Sequence, residues 1–168
     1  MVEDVVRALG FLCLGTRFKR LGERLQTETQ RLSEALGGVV QVGQYPFLAA
    51  VDRLGPLTVG ELTEAIGISQ PGVTRSLGQL VELGLLDARP APDDRRVRVV
   101  SLTAEGRTLV DLAKGNAWPR IELAVVDLCA PLSGPLLAQL AAIEDGLDRE
   151  PLRSRTGRLK GGTDEPLA

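Results

Sequence analysis

Apolar residues recur along this chain at helical spacing, broken by glycine and proline at regular points. Val5, Val6, Leu9, Leu12, Phe18, Leu21, Leu25, Leu32 and Leu36 form one such stripe, which predicts a single long helix from residue 2 to about 36. Arg17, Lys19, Arg20, Arg24 and Glu28 occupy other positions, and Gly37-Gly38 stops it. A stripe this long exceeds what a small lobe can bury, so a partner subunit is expected to cover it. A second helix is predicted from about Gln44 to Leu54, ending at Gly55-Pro56.

The next stretch, LTVGELTEAIG, is densely punctuated. Thr58 is a good N-cap with Glu61 three residues on, a capping box, and Leu57 and Leu62 are placed as its hydrophobic staple. Gly67 closes that helix. The pattern then repeats: Ser69 is the cap, Ile68 and Val73 the staple, and Pro71 lies in the first turn, where a missing N–H costs little. Val73, Leu77, Leu80 and Val81 form the expected buried stripe, and Gly84 ends the helix. Two short helices joined by a tight glycine-containing turn are a helix-turn-helix.

Residues 85–102 predict a β-hairpin: LLDAR leads in, PAPDDR is turn chemistry, and VRVVSL leads out rich in β-branched residues. Thr103 caps a helix to about Cys129, which Trp118-Pro119 should kink or break. Ser133 opens a last helix with Leu136, Leu137, Leu140, Ile143 and Leu147 on one face. From Glu150 the chain is rich in Arg, Gly, Thr and Pro, which predicts a disordered tail over 150–168. The fold class is therefore mainly α with a small β-hairpin wing. The expected organisation is an N-terminal helix over 1–38, the helix-turn-helix with its hairpin over 39–103, C-terminal helices over 104–149, and the tail.

Composition narrows the chemistry. The 168 residues include no histidine and two cysteines, Cys13 and Cys129, which form no metal spacing and no disulfide framework. With no glycine-rich phosphate loop either, no catalytic arrangement, metal or cofactor is expected. No apolar run reaches the ~18 residues that cross a bilayer, and no signal-peptide pattern opens the chain, so a cytoplasmic protein with no membrane partner is expected. The formal net charge is −2, without the basic footprint common in nucleic-acid binders.

The open face of the second short helix nonetheless offers Ser69, Gln70, Gly72, Thr74, Arg75, Ser76 and Gln79. Gln pairs with adenine and Arg with guanine in the major groove, while Ser, Thr and the helix N-terminus suit phosphate. Polar residues alone fit any solvated helix face. The hairpin that follows, with Arg95, Arg96 and Arg98 near its tip, favours double-stranded DNA, since arginine suits a narrow minor groove. Residues 69–102 carry five arginines against four acids, a net of +1, so binding should depend on where the arginines point. Asp93 and Asp94, beside Arg95 and Arg96, suggest salt bridges that shape the wing.

The run LTVGELTEAIGISQPGVTRSLGQLVELGLLDARPAPDDRRVRVVSLTAEG resembles the MarR family of bacterial regulators, and the resemblance extends over about residues 5–147. Its most specific part is DDRRVRVVSLT followed by AEG; Ala91 departs from the aspartate common in the family before the wing proline. The resemblance implies a winged helix-turn-helix, a homodimer built through the first and last two helices, a pseudo-palindromic operator, and release of a repressor by a small-molecule effector. Phe11, Phe18, Phe47 and Trp118 are candidates to line the effector pocket that the resemblance implies, with Arg17 holding an anion, and each is equally explained as core. Two alternatives stay open: a thiol-based sensor using Cys13, and a winged-helix protein-interaction module without DNA binding.

Overall fold

In the computed structural model the described residues are 2–159. They group into two compact units, divided between residues 125 and 126, each treated by itself below.

The N-terminal stretch is not one helix. A single turn, α1 (Val5–Ala8), is followed by a 3-10 turn at Gly10–Cys13 and then by α2 (Leu14–Ala35). The break falls at Gly10, whose φ of +53° cannot continue a right-handed α-helix. Asp4 caps α1, accepting the Arg7 backbone N–H at 3.2 Å, and Arg20 of α2 grips both its oxygens at 3.0 and 2.9 Å. The Arg20 hydrogen bond, ahead of the Arg7 contacts, holds the Asp4 carboxyl below the usual range. The predicted stop of α2 is a Schellman motif: Gly37 N–H reaches Glu34 O at 3.0 Å and Gly38 N–H reaches Ser33 O at 2.8 Å.

A 3-10 turn at Val42–Gln44 leads into α3 (Tyr45–Leu54). Then come β1 (Leu57–Thr58), α4 (Val59–Ile66), α5 (Gln70–Glu82), β2 (Leu86–Pro90), β3 (Arg98–Leu102) and α6 (Ala104–Gly115). The strands form an antiparallel sheet in the order β1-β3-β2. Leu57 pairs with Val100, and Leu86 with Leu102 through Pro90 with Arg98. The hairpin of residues 85–102 is thus as expected, while β1 adds a strand where the sequence pattern shows only a cap and staple.

The core of this unit joins Phe47, Leu48 and Val51 of α3, Leu62 of α4, Val73, Leu77 and Leu80 of α5, Leu86 and Val100 of the hairpin, and Val110 of α6. Val81, expected in this stripe, is exposed near the end of α5. Asp52 of α3 and Lys114 of α6 form an ion pair.

The break near Trp118-Pro119 falls at Asn116, between α6 and α7 (Ala117–Cys129). A proline ring clashes with the carbonyl four residues before it, here that of Gly115. Breaking at Asn116 places Pro119 in the first turn of α7, where it is tolerated.

In the second unit, α8 (Leu136–Arg149) starts after Pro135 rather than at Ser133. The tail expected to be disordered begins with α9 (Leu152–Leu159). Arg155 donates to the carbonyls of Gly146 and Glu150, and so satisfies the end of α8 with a cation. Residues 160–168 of that expectation lie outside the described residues. No helix among the described residues is long and apolar enough to cross a membrane.

Candidate nucleic-acid interface

The helix-turn-helix is built by its caps. Thr58 Oγ1 accepts the Glu61 N–H at 3.2 Å, and the Glu61 carboxylate accepts the Thr58 N–H at 2.7 Å and its hydroxyl at 2.8 Å. The Thr58 backbone hydrogen bond, then its hydroxyl, hold the Glu61 carboxyl below the usual glutamate range. Gly67 then turns the chain in the left-handed region and hands it to Ser69.

Ser69 sits at the N-cap of α5 with extended backbone, but its side chain makes no capping hydrogen bond. The N2 position is Pro71, which has no N–H, so one of the two usual capping targets is missing. Ser69, Gln70, Thr74, Arg75 and Gln79 are exposed along α5, while Val73, Leu77 and Leu80 anchor its other side. Gly72 is half-buried, and Thr74 returns its hydroxyl to Gln70 O at 3.0 Å. Gln79 is already engaged: its amide oxygen accepts Gln44 Nε2 at 3.0 Å.

The wing departs from expectation in one respect. Among the described residues, Asp93 and Asp94 form no ion pair with Arg95 or Arg96. The Asp94 carboxylate instead accepts the Arg96 backbone N–H at 2.9 Å, and Asp94 O accepts the Val97 N–H at 3.0 Å. This is an Asx-type turn, in which a short acid serves the backbone better than a neighbouring cation. Arg95 and Arg96 are exposed at the tip. Arg98 is exposed but folded back, donating to Ala88 O across the hairpin at 3.1 Å. The ion pair that does form joins Arg89 to Asp87 on β2.

The wing is tied to α6 at Thr103. Its hydroxyl donates to Gly84 O at 2.6 Å and accepts the Gly106 N–H at 3.0 Å. Gly106 packs so closely that a Cβ there would lie 2.0 Å from Leu85 O. This contact is the physical reason for the glycine in AEG.

Of the residues expected to line one effector pocket, Trp118 packs against the core that holds Phe47, while Phe11, Arg17 and Phe18 lie on the N-terminal elements outside that core. Phe47 is 1% exposed in the core, whereas Phe11 is 93% exposed. Trp118 packs edge-on against Tyr45 with centroids 6.0 Å apart. Arg17 lines a cavity of about 280 Å³ beside Asp4, Arg7, Arg20 and Arg24, and Phe18 is exposed on α2. A larger cavity of about 600 Å³ lies elsewhere, between the end of α2, Tyr45 and α6, lined by Leu85, Leu109 and Leu112 with Glu105, Thr108 and Asn116 as polar groups. Periodicity gives no sign of it, because it arises where three segments meet. Cys13 is half-buried at the break before α2, and both cysteines are free thiols.

The MarR family model matches residues 40–97, from the entry to α3 through the wing tip. The HTH-type transcriptional regulator YcgE of Bacillus subtilis is 34% identical over 117 residues, which is 67% of this chain and 69% of that protein. This chain belongs to the MarR family. Solved structures agree on the fold. A cysteine-to-serine mutant of MarR from E. coli, complexed with operator DNA, superposes with a TM-score of 0.60 at 22% identity, over 78% of this chain and 93% of that one. The PcaV transcriptional regulator of Streptomyces coelicolor, in complex with its natural ligand, has a TM-score of 0.57 at 24% identity, over 81% and 92%. The protein is a MarR-type transcriptional regulator with a winged helix-turn-helix, a family of regulators rather than enzymes.

Proposed function

We propose that this regulator is a homodimer that binds a pseudo-palindromic operator, with α5 in the major groove and the Arg95–Arg96 wing tip in the flanking minor groove. One observation carries the reading: α5 is anchored by Val73, Leu77 and Leu80 while Arg75 and the wing-tip arginines are exposed with no ion pair among the described residues. Ser69, Gln70 and Thr74, with Gly72 permitting close approach, seat the leading end of α5 on phosphate. Arg75 reads a guanine edge. The E. coli relative bound to operator DNA supports the DNA partner. The exposed apolar residues of α2, α7 and α8, such as Leu21, Leu128 and Leu137, suit burial against a second copy.

The same reading makes the protein a repressor released by a small apolar molecule with a polar end. The 600 Å³ cavity fits such an effector: its leucines supply apolar contact, and Thr108, Asn116 and Glu105 supply orientation. The ligand-bound Streptomyces relative supports an effector.

Titration of the protein against its own upstream DNA, at two salt concentrations, tests the reading. Specific retention with a steep negative dependence on salt is expected, since each neutralised phosphate releases counterions. Absence of specific retention at low salt would overturn it.

A further inference from the structure

Gln44 is a buried amide, 6% exposed, in the turn that leads into α3. Its oxygen accepts the Gln41 N–H at 3.1 Å, and its Nε2 donates to Gln79 Oε1 on α5 at 3.0 Å. The same turn is held from the other side. Gln30 of α2 accepts the Val42 N–H at 2.6 Å, and Gln30 Nε2 donates to Glu34 at 2.8 Å. A run of amides thus passes from α2, through residues 41–44, to the last turn of α5.

The open face of α5 makes Gln79 look like a reader of adenine. Two features oppose that. A glutamine needs both its oxygen and its nitrogen for the bidentate adenine contact, and here the oxygen already serves Gln44. Recognition helices also contact base edges with their N-terminal residues, and Gln79 lies ten residues past the cap, roughly 15 Å along the axis.

We propose that Gln79 is an anchor rather than a base reader, and that Gln44 is the positioning residue that sets the pitch of α5 in the groove and links it to α2. This rests on the assignment of α5 as the DNA-reading helix. The physical reason is that a buried amide loses most when its partner is removed. The pair therefore specifies one orientation of α5 where apolar packing alone permits small rotations.

The test is a double-mutant cycle with Gln44→Met and Gln79→Met, which keep side-chain length and remove the amide. Each variant is titrated against the protein's own upstream duplex, a scrambled duplex of equal length, and a library randomised over the half-site. Each single change should lower the preference for the upstream duplex about five- to tenfold. The double variant should be no worse than either single, and binding to the scrambled duplex should be unchanged. The loss should spread across the half-site rather than fall on one base. Gln79 is exposed, so its variant tests the idea even where Gln44→Met fails to fold. The proposal is overturned if Gln79→Met changes preference at one base position alone, or if Gln79→Met binds as the parent does. Failure of the parent to prefer its upstream duplex overturns the DNA assignment itself, a result distinct from parent-like variants.

Discussion

The Asp94 carboxylate accepts the Arg96 backbone N–H at 2.9 Å, so the acid beside the wing-tip arginines serves their peptide and leaves their charge available. This separates two effects of Asp94. Its turn-forming oxygen favours the wing, whereas its negative charge opposes phosphate. Asp94→Asn keeps an acceptor for the Asx turn and should bind upstream DNA as tightly as the parent or more so. Asp94→Ala should bind several-fold more weakly through a loosened wing. Equal affinity of the two variants in low-salt titrations would show that the turn contributes nothing to binding.

Arg75 and Arg96 should fail differently. Arg75→Ala removes a base contact and should cost about 1–3 kcal/mol of discrimination between specific and scrambled DNA. Arg96→Ala should weaken both about equally and reduce the salt slope by about one. Titrations of both duplexes at three salt concentrations resolve the two. The reverse pattern would place α5 and the wing in exchanged roles.

Much of this interface is legible in the sequence because its signals are local. The Thr58–Glu61 box, the glycine that closes α4 and the β-branched run of β3 each declare themselves within a few residues. The first helix reads as continuous because its apolar spacing runs on across Gly10, and only the backbone shows the break at φ +53°. Strand β1 has two residues, too few for a period. The salt bridges expected at Asp93 and Asp94 assume that adjacent opposite charges pair. In a tight turn the nearest donor to a short carboxylate is the backbone. Gln79 reads as a base contact by residue type on an exposed face, and its partner Gln44 lies 35 positions away, beyond any spacing argument. The same holds for the large cavity, whose walls come from separate segments.

Gly106 should be among the least replaceable residues of the wing. Alanine there would place Cβ 2.0 Å from Leu85 O and 3.1 Å from Leu102 Cδ2, and a backbone oxygen has little room to yield. Gly106→Ala should lower stability by about 2–3 kcal/mol, roughly 5–10 °C in Tm for a chain of this size. DNA affinity should fall with it, because the strand that meets α6 also carries the wing. Thermal unfolding at fixed protein concentration checks this. An unchanged Tm would mean that the hairpin and α6 separate freely at Leu85.

Glu61 should make the reading head sensitive to acid. Its folded-state carboxyl lies below the usual range because the Thr58 N–H and hydroxyl favour the ionised form. An unfolded glutamate titrates near about 4.3. For a depressed folded value, the stabilisation is fully present above the unfolded value and is lost as pH falls through the folded one. Glu61→Gln removes the charge at every pH, so the parent should exceed the variant in denaturant midpoint at pH 7. The difference should hold down to about pH 5 and then shrink as pH falls below the ordinary glutamate value. Urea titrations of both proteins from neutral pH down to about pH 3 measure it at one protein concentration, so that any association is held fixed. A difference that is constant across this series, or that grows in acid, would mean that the Glu61 charge does not support the cap.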